Sequence, residues 1–123
     1  MNLCVPTLKK YYLYSNSNLH MDMDEVVIRL NAKNHGAFYL MHEGEQSGEM
    51  IISIADNVLT VYHTEIDPKF EGKGLARILL NGMVAYAREH QLKVKPLCAY
   101  VHAQFKRHPE EFADVWLKQE AEQ

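Results

Sequence analysis

From Glu25 onward the apolar residues come in short alternating runs. Val26, Ile28 and Leu30 fall on one side of an extended segment, because successive side chains of a strand point to opposite faces. Lys33-Asn34-His35-Gly36 supplies a turn, and residues 36–43 read as the return strand. The polar, glycine-containing stretch 43–49 reads as a connection, with a third short strand over 50–54. Ala55-Asp56-Asn57 then makes a tight turn into a fourth strand, 58–66. Connections this short exclude parallel crossovers, so the strands pair antiparallel in succession.

After Asp67-Pro68 the period changes from two to three and four. Leu75, Ile78, Leu79, Gly82, Met83 and Tyr86 form the apolar stripe of one amphipathic helix, and Arg77, Asn81 and Arg88 occupy its other side. Such a helix lies on a sheet. A strand over 93–97 then returns beside 58–66, and the helical crossover makes that pair parallel. Val101 and Phe105, four residues apart, favour a second helix over 100–107, which His108-Pro109 ends. The predicted fold is α+β: a mixed, mostly antiparallel sheet with a central amphipathic helix after the fourth main strand.

Composition narrows the possibilities. A chain of 123 residues, 47% hydrophobic, can enclose one ordinary core and is too short for two. A formal net charge of -3 argues against nucleic acid or anionic membrane as partners, since both call for a basic surface. Cys4 and Cys98 lie far apart without the short-range partner of a metal knuckle or redox pair, so no metal is expected and a reducing cytoplasm is the simplest home. No apolar run approaches the roughly 20 residues that cross a bilayer. Residues 1–23, with Lys9 and Lys10, no arginine and the polar run Ser15-Asn16-Ser17-Asn18, read as a flexible N-terminal extension rather than a targeting leader. The working domain is 24–116, with 117–123 a tail, and a monomer is expected.

The segment with the most chemical content is Asp67-Pro68-Lys69-Phe70-Glu71-Gly72-Lys73-Gly74-Leu75-Ala76, between a strand and a helix. Glycines at a helix start let the backbone approach a ligand, while the first turn leaves N–H groups without intrahelical acceptors. Those donors and the helix dipole suit a phosphate, and Lys73 adds a positive charge. The same residues also serve plain turns.

In its wider setting this run resembles the cofactor signature of the GNAT superfamily, Arg/Gln-x-x-Gly-x-Gly/Ala after a strand. The matching residues are Glu71-Gly72-Lys73-Gly74-Leu75-Ala76, with Glu71 read as standing in place of the basic or amide residue and expected to point away from the ligand. His63-Thr64-Glu65, Lys95-Pro96-Leu97-Cys98 and Arg107-His108-Pro109-Glu110 extend the resemblance to compact single-domain members over about 24–116. The resemblance implies an N-acetyltransferase that uses acetyl-coenzyme A and an amine-bearing acceptor, a small molecule or a protein. It implies that backbone N–H groups of Gly72, Lys73, Gly74, Leu75 and Ala76 bind the diphosphate. The strand end near Ile66 would pair with the pantetheine amides.

Acyl transfer needs an uncharged nucleophile, a stabilised oxyanion and a proton for the leaving thiolate. His63 and Glu65, two apart on a strand, share a face and could act as base, or as base and orienter; exposed polar residues are the bland alternative. Cys98 precedes a helix, where the N-terminus favours thiolate, though free cysteines are commonly small buried apolar residues. The resemblance implies that its thiol lies near the acetyl group, to protonate the leaving sulfur or to carry the acetyl transiently. Larger members use a tyrosine on the last helix; Phe105 stands there and is expected to pack against the pantetheine arm, with Tyr100 and His102 as reserve acids. The short turn between Leu30 and Ala37 leaves the acceptor side open. Two other readings stay open: a coenzyme A or acyl-coenzyme A binding module without turnover, and a small interaction domain.

Overall fold

Tight left-handed turns organise the sheet. In the computed structural model, which describes residues 8–12 and 24–118, β2 (Asp24–Leu30), β3 (His35–His42), β4 (Glu45–Ala55) and β5 (Val58–Ile66) follow one another as antiparallel hairpins. Glu43 and Gly44 have φ of 54 and 80°, and Asp56 and Asn57 have 54 and 64°. Two central residues with positive φ are the mark of a type I′ turn, whose twist matches that of the strands it joins. Between β2 and β3 the Asn31 side-chain oxygen accepts from the backbone N–H of Lys33 at 2.8 Å and of His35 at 3.1 Å, closing the loop.

Two strands complete the sheet. β1 (Leu8–Tyr12), inside the segment expected as an extension, pairs antiparallel with β2, while β6 (Lys93–Pro96) runs parallel to β5. The order is β1-β2-β3-β4-β5-β6.

The expected connection over 43–49 is instead mostly strand: β4 begins at Glu45, directly after the two-residue turn. Its loop-like composition has a different cause. The register slips between Leu40 and Met41, Ser47 takes up the extra position, and its hydroxyl donates to the Leu40 carbonyl at 3.3 Å. Gly48 is small because Ile66 packs on it; an added Cβ would lie 2.6 Å from Ile66 Cδ1.

Both helices, α1 (Leu75–Glu89) and α2 (Ala99–Arg107), feed one core on one face of the sheet. Val26, Ile28, Phe38, Leu40, Met50, Ile52, Leu59 and Val61 meet Leu75, Leu79 and Met83 of α1 and Val101 and Phe105 of α2. Gly82 sets the crossing height of α1, since an added Cβ would sit 2.8 Å from Val26 Cγ1. The other sheet face carries Arg29, Tyr39, Ile51, His63 and Glu65, and no described helix covers it. Among the described residues no helix is long and apolar enough to cross a membrane, and no cluster of His, Cys, Asp and Glu could hold a metal.

The polar side of α1 is a clasp. Arg77 donates to Asn81 at 3.1 Å, to Gln104 of α2 at 3.4 Å and to Glu111 at 2.8 Å. Arg88 binds both carboxylate oxygens of Asp114, at 2.8 and 3.1 Å, and the Glu111 carbonyl at 2.8 Å. The chain after α2 is thereby held on α1, and Trp116 ends it in a parallel bridge to Val94.

Two measurements test this packing. Gly82→Ala forces a methyl group against Val26 and should cost about 1–3 kcal/mol in denaturant unfolding, as overpacked cores do. The hydrogen bond from Arg88, with its charge, holds the Asp114 carboxyl below the usual carboxylate range, against a smaller opposing effect of desolvation. A depressed carboxyl contributes stability above its unfolded pKa, and the contribution disappears as pH falls through the folded value. Asp114→Asn should therefore lower stability at pH 7 by about 0.2–1 kcal/mol, the range for exposed pairs. In acid-melting curves the difference between the two proteins should shrink as pH falls below the ordinary carboxylate range and the wild-type carboxylate is also lost.

Candidate functional site

β5 changes character at Tyr62. Ile52 pairs with Val61 and Ile51 with His63, so Tyr62 is an extra, bulged residue. The bulge reverses the alternation: Leu59 and Val61 face the core before it, and Thr64 and Ile66, opposite Met50 and Gly48, face the core after it. His63 and Glu65 consequently lie on the helix-free face, opposite Ile51 and Glu49.

The pairing of β5 with β6 ends at the same place. Its last register pair is Val61 with Pro96, and the Val61 carbonyl accepts from the N–H groups of Leu97 at 3.0 Å and Cys98 at 2.9 Å. β6 then turns away into α2. The edge of β5 from Tyr62 to Ile66 is left without β6 beside it, a stretch of about 17 Å at ~3.4 Å per residue. Cys98 stands at the closed end of this gap as the N-cap of α2, only 5% exposed. Its Sγ lies 3.2 Å from Thr64 Oγ1.

The glycine loop stands at the open end. Asp67 donates its N–H to the Ser47 carbonyl at 2.8 Å and caps the 3-10 turn Pro68–Phe70 by accepting from Lys69 N–H. Lys69 Nζ binds Glu45 at 2.8 Å and the Phe70 ring meets His42 edge-on at 5.4 Å, so the turn is stapled to the β3–β4 hairpin. Gly72 and Gly74 follow with φ of 84 and 72°, and nothing lies within 4 Å of where their Cβ atoms would be. Gly74 is the N-cap of α1 and makes no side-chain cap, leaving the first N–H groups of the helix available.

The candidate residues separate into groups. Ile66 ends β5, and Gly72, Lys73, Gly74, Leu75 and Ala76 lead from the 3-10 turn into α1, with the Leu75 side chain buried. His63 Nε2 and Glu65 Oε1 are 3.4 Å apart and more than half exposed, across β5 from Cys98. Phe105 requires correction: it is fully buried, stacked on Phe112 at 4.8 Å and against Trp116 at 5.7 Å, and offers no face to a pantetheine arm. Glu71 also requires correction, because two residues separate the signature's first position from its first glycine. That position belongs to Lys69.

Of the reserves, Tyr100 is partly buried, and desolvation raises its phenol above the ordinary value; Arg77 and Arg107 act in the opposite direction and Cys98 in the same one. His102 turns its ring edge to Trp116 at 6.1 Å. Thr64 escaped the sequence reading. Its signal was the switch of apolar parity between Val61 and Ile66, which a bulge produces. A cavity of about 280 Å³ near Glu65 also went unforeseen; Gln46, Ser47, Glu49, Asp67 and Pro68 are among its walls.

Comparison with known proteins follows the same outline. A family profile described as GCN5-related N-acetyl-transferase matches residues 37–115, well over half of the chain. A GCN5-like candidate N-acetyltransferase of Staphylococcus aureus, solved in solution, is 25% identical over 77% of this chain and 91% of its own, with a TM-score of 0.56. The ribosomal-protein-S18-alanine N-acetyltransferase of Escherichia coli aligns at 19% identity over 50% of this chain and 41% of its own, TM-score 0.48. Nourseothricin acetyltransferase aligns at 15% identity over 70% and 71%, TM-score 0.44. No curated protein sequence matches. The profile runs from β3 through the glycine loop to the turn beyond α2, and on that match the chain belongs to the GCN5-related N-acetyltransferase family.

Proposed function

We propose that the protein is an acetyl-coenzyme A dependent N-acetyltransferase whose acceptor is a cationic amine. The observation that carries this reading is the unpaired edge of β5, which runs from Cys98 to the glycine loop. An extended ligand with amides along its length can pair with such an edge as an added strand does. The residues present fit coenzyme A: two glycines at positive φ with open space above them and an uncapped helix start suit a diphosphate. When bound, the cosubstrate supplies an activated acetyl carbonyl.

The roles of the chain's own groups follow. N–H groups of Gly72, Lys73, Gly74, Leu75 and Ala76 hold the diphosphate, and the β5 edge near Ile66 holds the pantetheine amides. Cys98 keeps the proton that the departing sulfur requires. His63, oriented by Glu65, takes the proton released by the attacking amine. The gap lies between the two sheet faces, so groups on opposite sides of β5 can serve the same carbonyl. Glu49 and Glu65 sit side by side on the helix-free face, and Asp67 joins them around the cavity, which supports a positively charged acceptor.

A second reading, a coenzyme A binding module without turnover, is favoured by the exposure of His63 and Glu65. One series separates the two. Coenzyme A should raise the melting temperature, and a ligand at a hundredfold its Kd adds about 2.7 kcal/mol. Gly74→Ala, which places a side chain at φ 72°, should cost about 1–2 kcal/mol of stability and weaken that binding. Acetyl-coenzyme A with a polyamine or a lysine peptide should release the free thiol. Glu49→Gln and Glu65→Gln should raise KM for the cationic acceptor. Absence of any thermal shift overturns both readings, and binding without release for any amine leaves the module.

A further inference from the structure

Thr64 is aimed at Cys98 by a feature of the backbone. Without the bulge at Tyr62, the alternation begun by Leu59 and Val61 would put residue 64 on the helix-free face; with it, Thr64 pairs with Met50 on the core face. There its Oγ1 comes to 3.2 Å from the Cys98 sulfur. The Cys98 backbone is already fixed, because its N–H donates to Val61 at 2.9 Å and its carbonyl accepts from His102 N–H at 3.0 Å. Main chain and side chain are therefore both held, and by the same strand that forms the edge of the gap.

We infer that Thr64 is a positioning residue that fixes the Cys98 sulfur at the closed end of the β5/β6 gap and donates its hydroxyl hydrogen to that sulfur once the S–H proton has left. The inference rests on the proposed role of Cys98. When the Cys98 S–H bond breaks, its proton goes to the departing thiolate of coenzyme A, and the negative charge left on Cys98 Sγ takes the Thr64 hydrogen bond. Hydrogen bonds to an ionised acceptor are about twice as strong as neutral ones, so the contact is worth most at that moment.

Thr64→Val and Thr64→Ser test this in opposite senses. Valine keeps the shape of threonine and removes the hydroxyl; serine keeps the hydroxyl and removes a methyl group. Packing alone ranks valine above serine, whereas sulfur stabilisation ranks serine above valine. The first readout is alkylation of Cys98 by iodoacetamide without coenzyme A, with peptide mass mapping to separate Cys98 from Cys4. Thr64→Val removes the hydroxyl donor 3.2 Å from the attacking sulfur, and a hydrogen bond to a charged acceptor is among the stronger ones, so this variant should react about threefold more slowly. Thr64→Ser should react at close to the wild-type rate. The second readout is turnover, in which kcat should fall for valine and return for serine at unchanged KM for acetyl-coenzyme A.

Wild-type alkylation by Thr64→Val, or an equal loss in both variants, overturns the inference. If coenzyme A fails to bind at all, the transferase reading falls, and the alkylation arm still decides Thr64 by the same two outcomes.

Discussion

The Val61 carbonyl is the hinge pin of this molecule. It accepts two N–H groups, those of Leu97 and Cys98, at the last point where β5 and β6 hold one another. Moved one residue along, the join would carry Cys98, the start of α2 and the length of free β5 edge with it. The bulge at Tyr62 stands immediately beyond the join, so the reversal of side-chain direction and the parting of the strands occur together. A strand that is ordinary sheet up to Val61 thus becomes, within one residue, an edge with a different face turned inward.

That geometry divides the proposed chemistry between two environments. Cys98 and Thr64 belong to the packed side, among Val101, Met50 and the helices. His63, Glu65 and Glu49 belong to the wet side, where their charges are screened and their rotamers are freer. An acyl group in the gap would meet a fixed thiol from one direction and a mobile, negatively charged surface from the other. In the proposed mechanism burial positions the thiol side, and exposure leaves the acceptor side tolerant.

Much of this was legible in the residues. The β-to-α change of period at Asp67 located α1 and the glycine loop, and the single helical crossover implied the parallel pair. The misreadings share a physical cause, which is that local composition does not say what a small or polar residue touches. Ser47 and Gly48 looked like loop because their partners, Leu40 and Ile66, lie in other strands. Phe105 was placed correctly on a second helix, yet the rings that enclose it, Phe112 and Trp116, come from beyond Pro109. Thr64 was hidden because strand alternation was counted straight through the bulge. Arg77 and Arg88 read as solvent-facing, and only the tertiary structure supplies the carboxylates of Glu111 and Asp114.

The parallel seam between β5 and β6 has a consequence for assembly. Every other described neighbour pair in the sheet is antiparallel, whereas this parallel one must bring together segments separated by the whole of α1. Contacts distant along the chain carry the greatest loop-closure entropy and form slowly. The closed end of the gap is thus built on the seam with the longest loop to close, and a molecule lodged along the gap would act as a splint on that join.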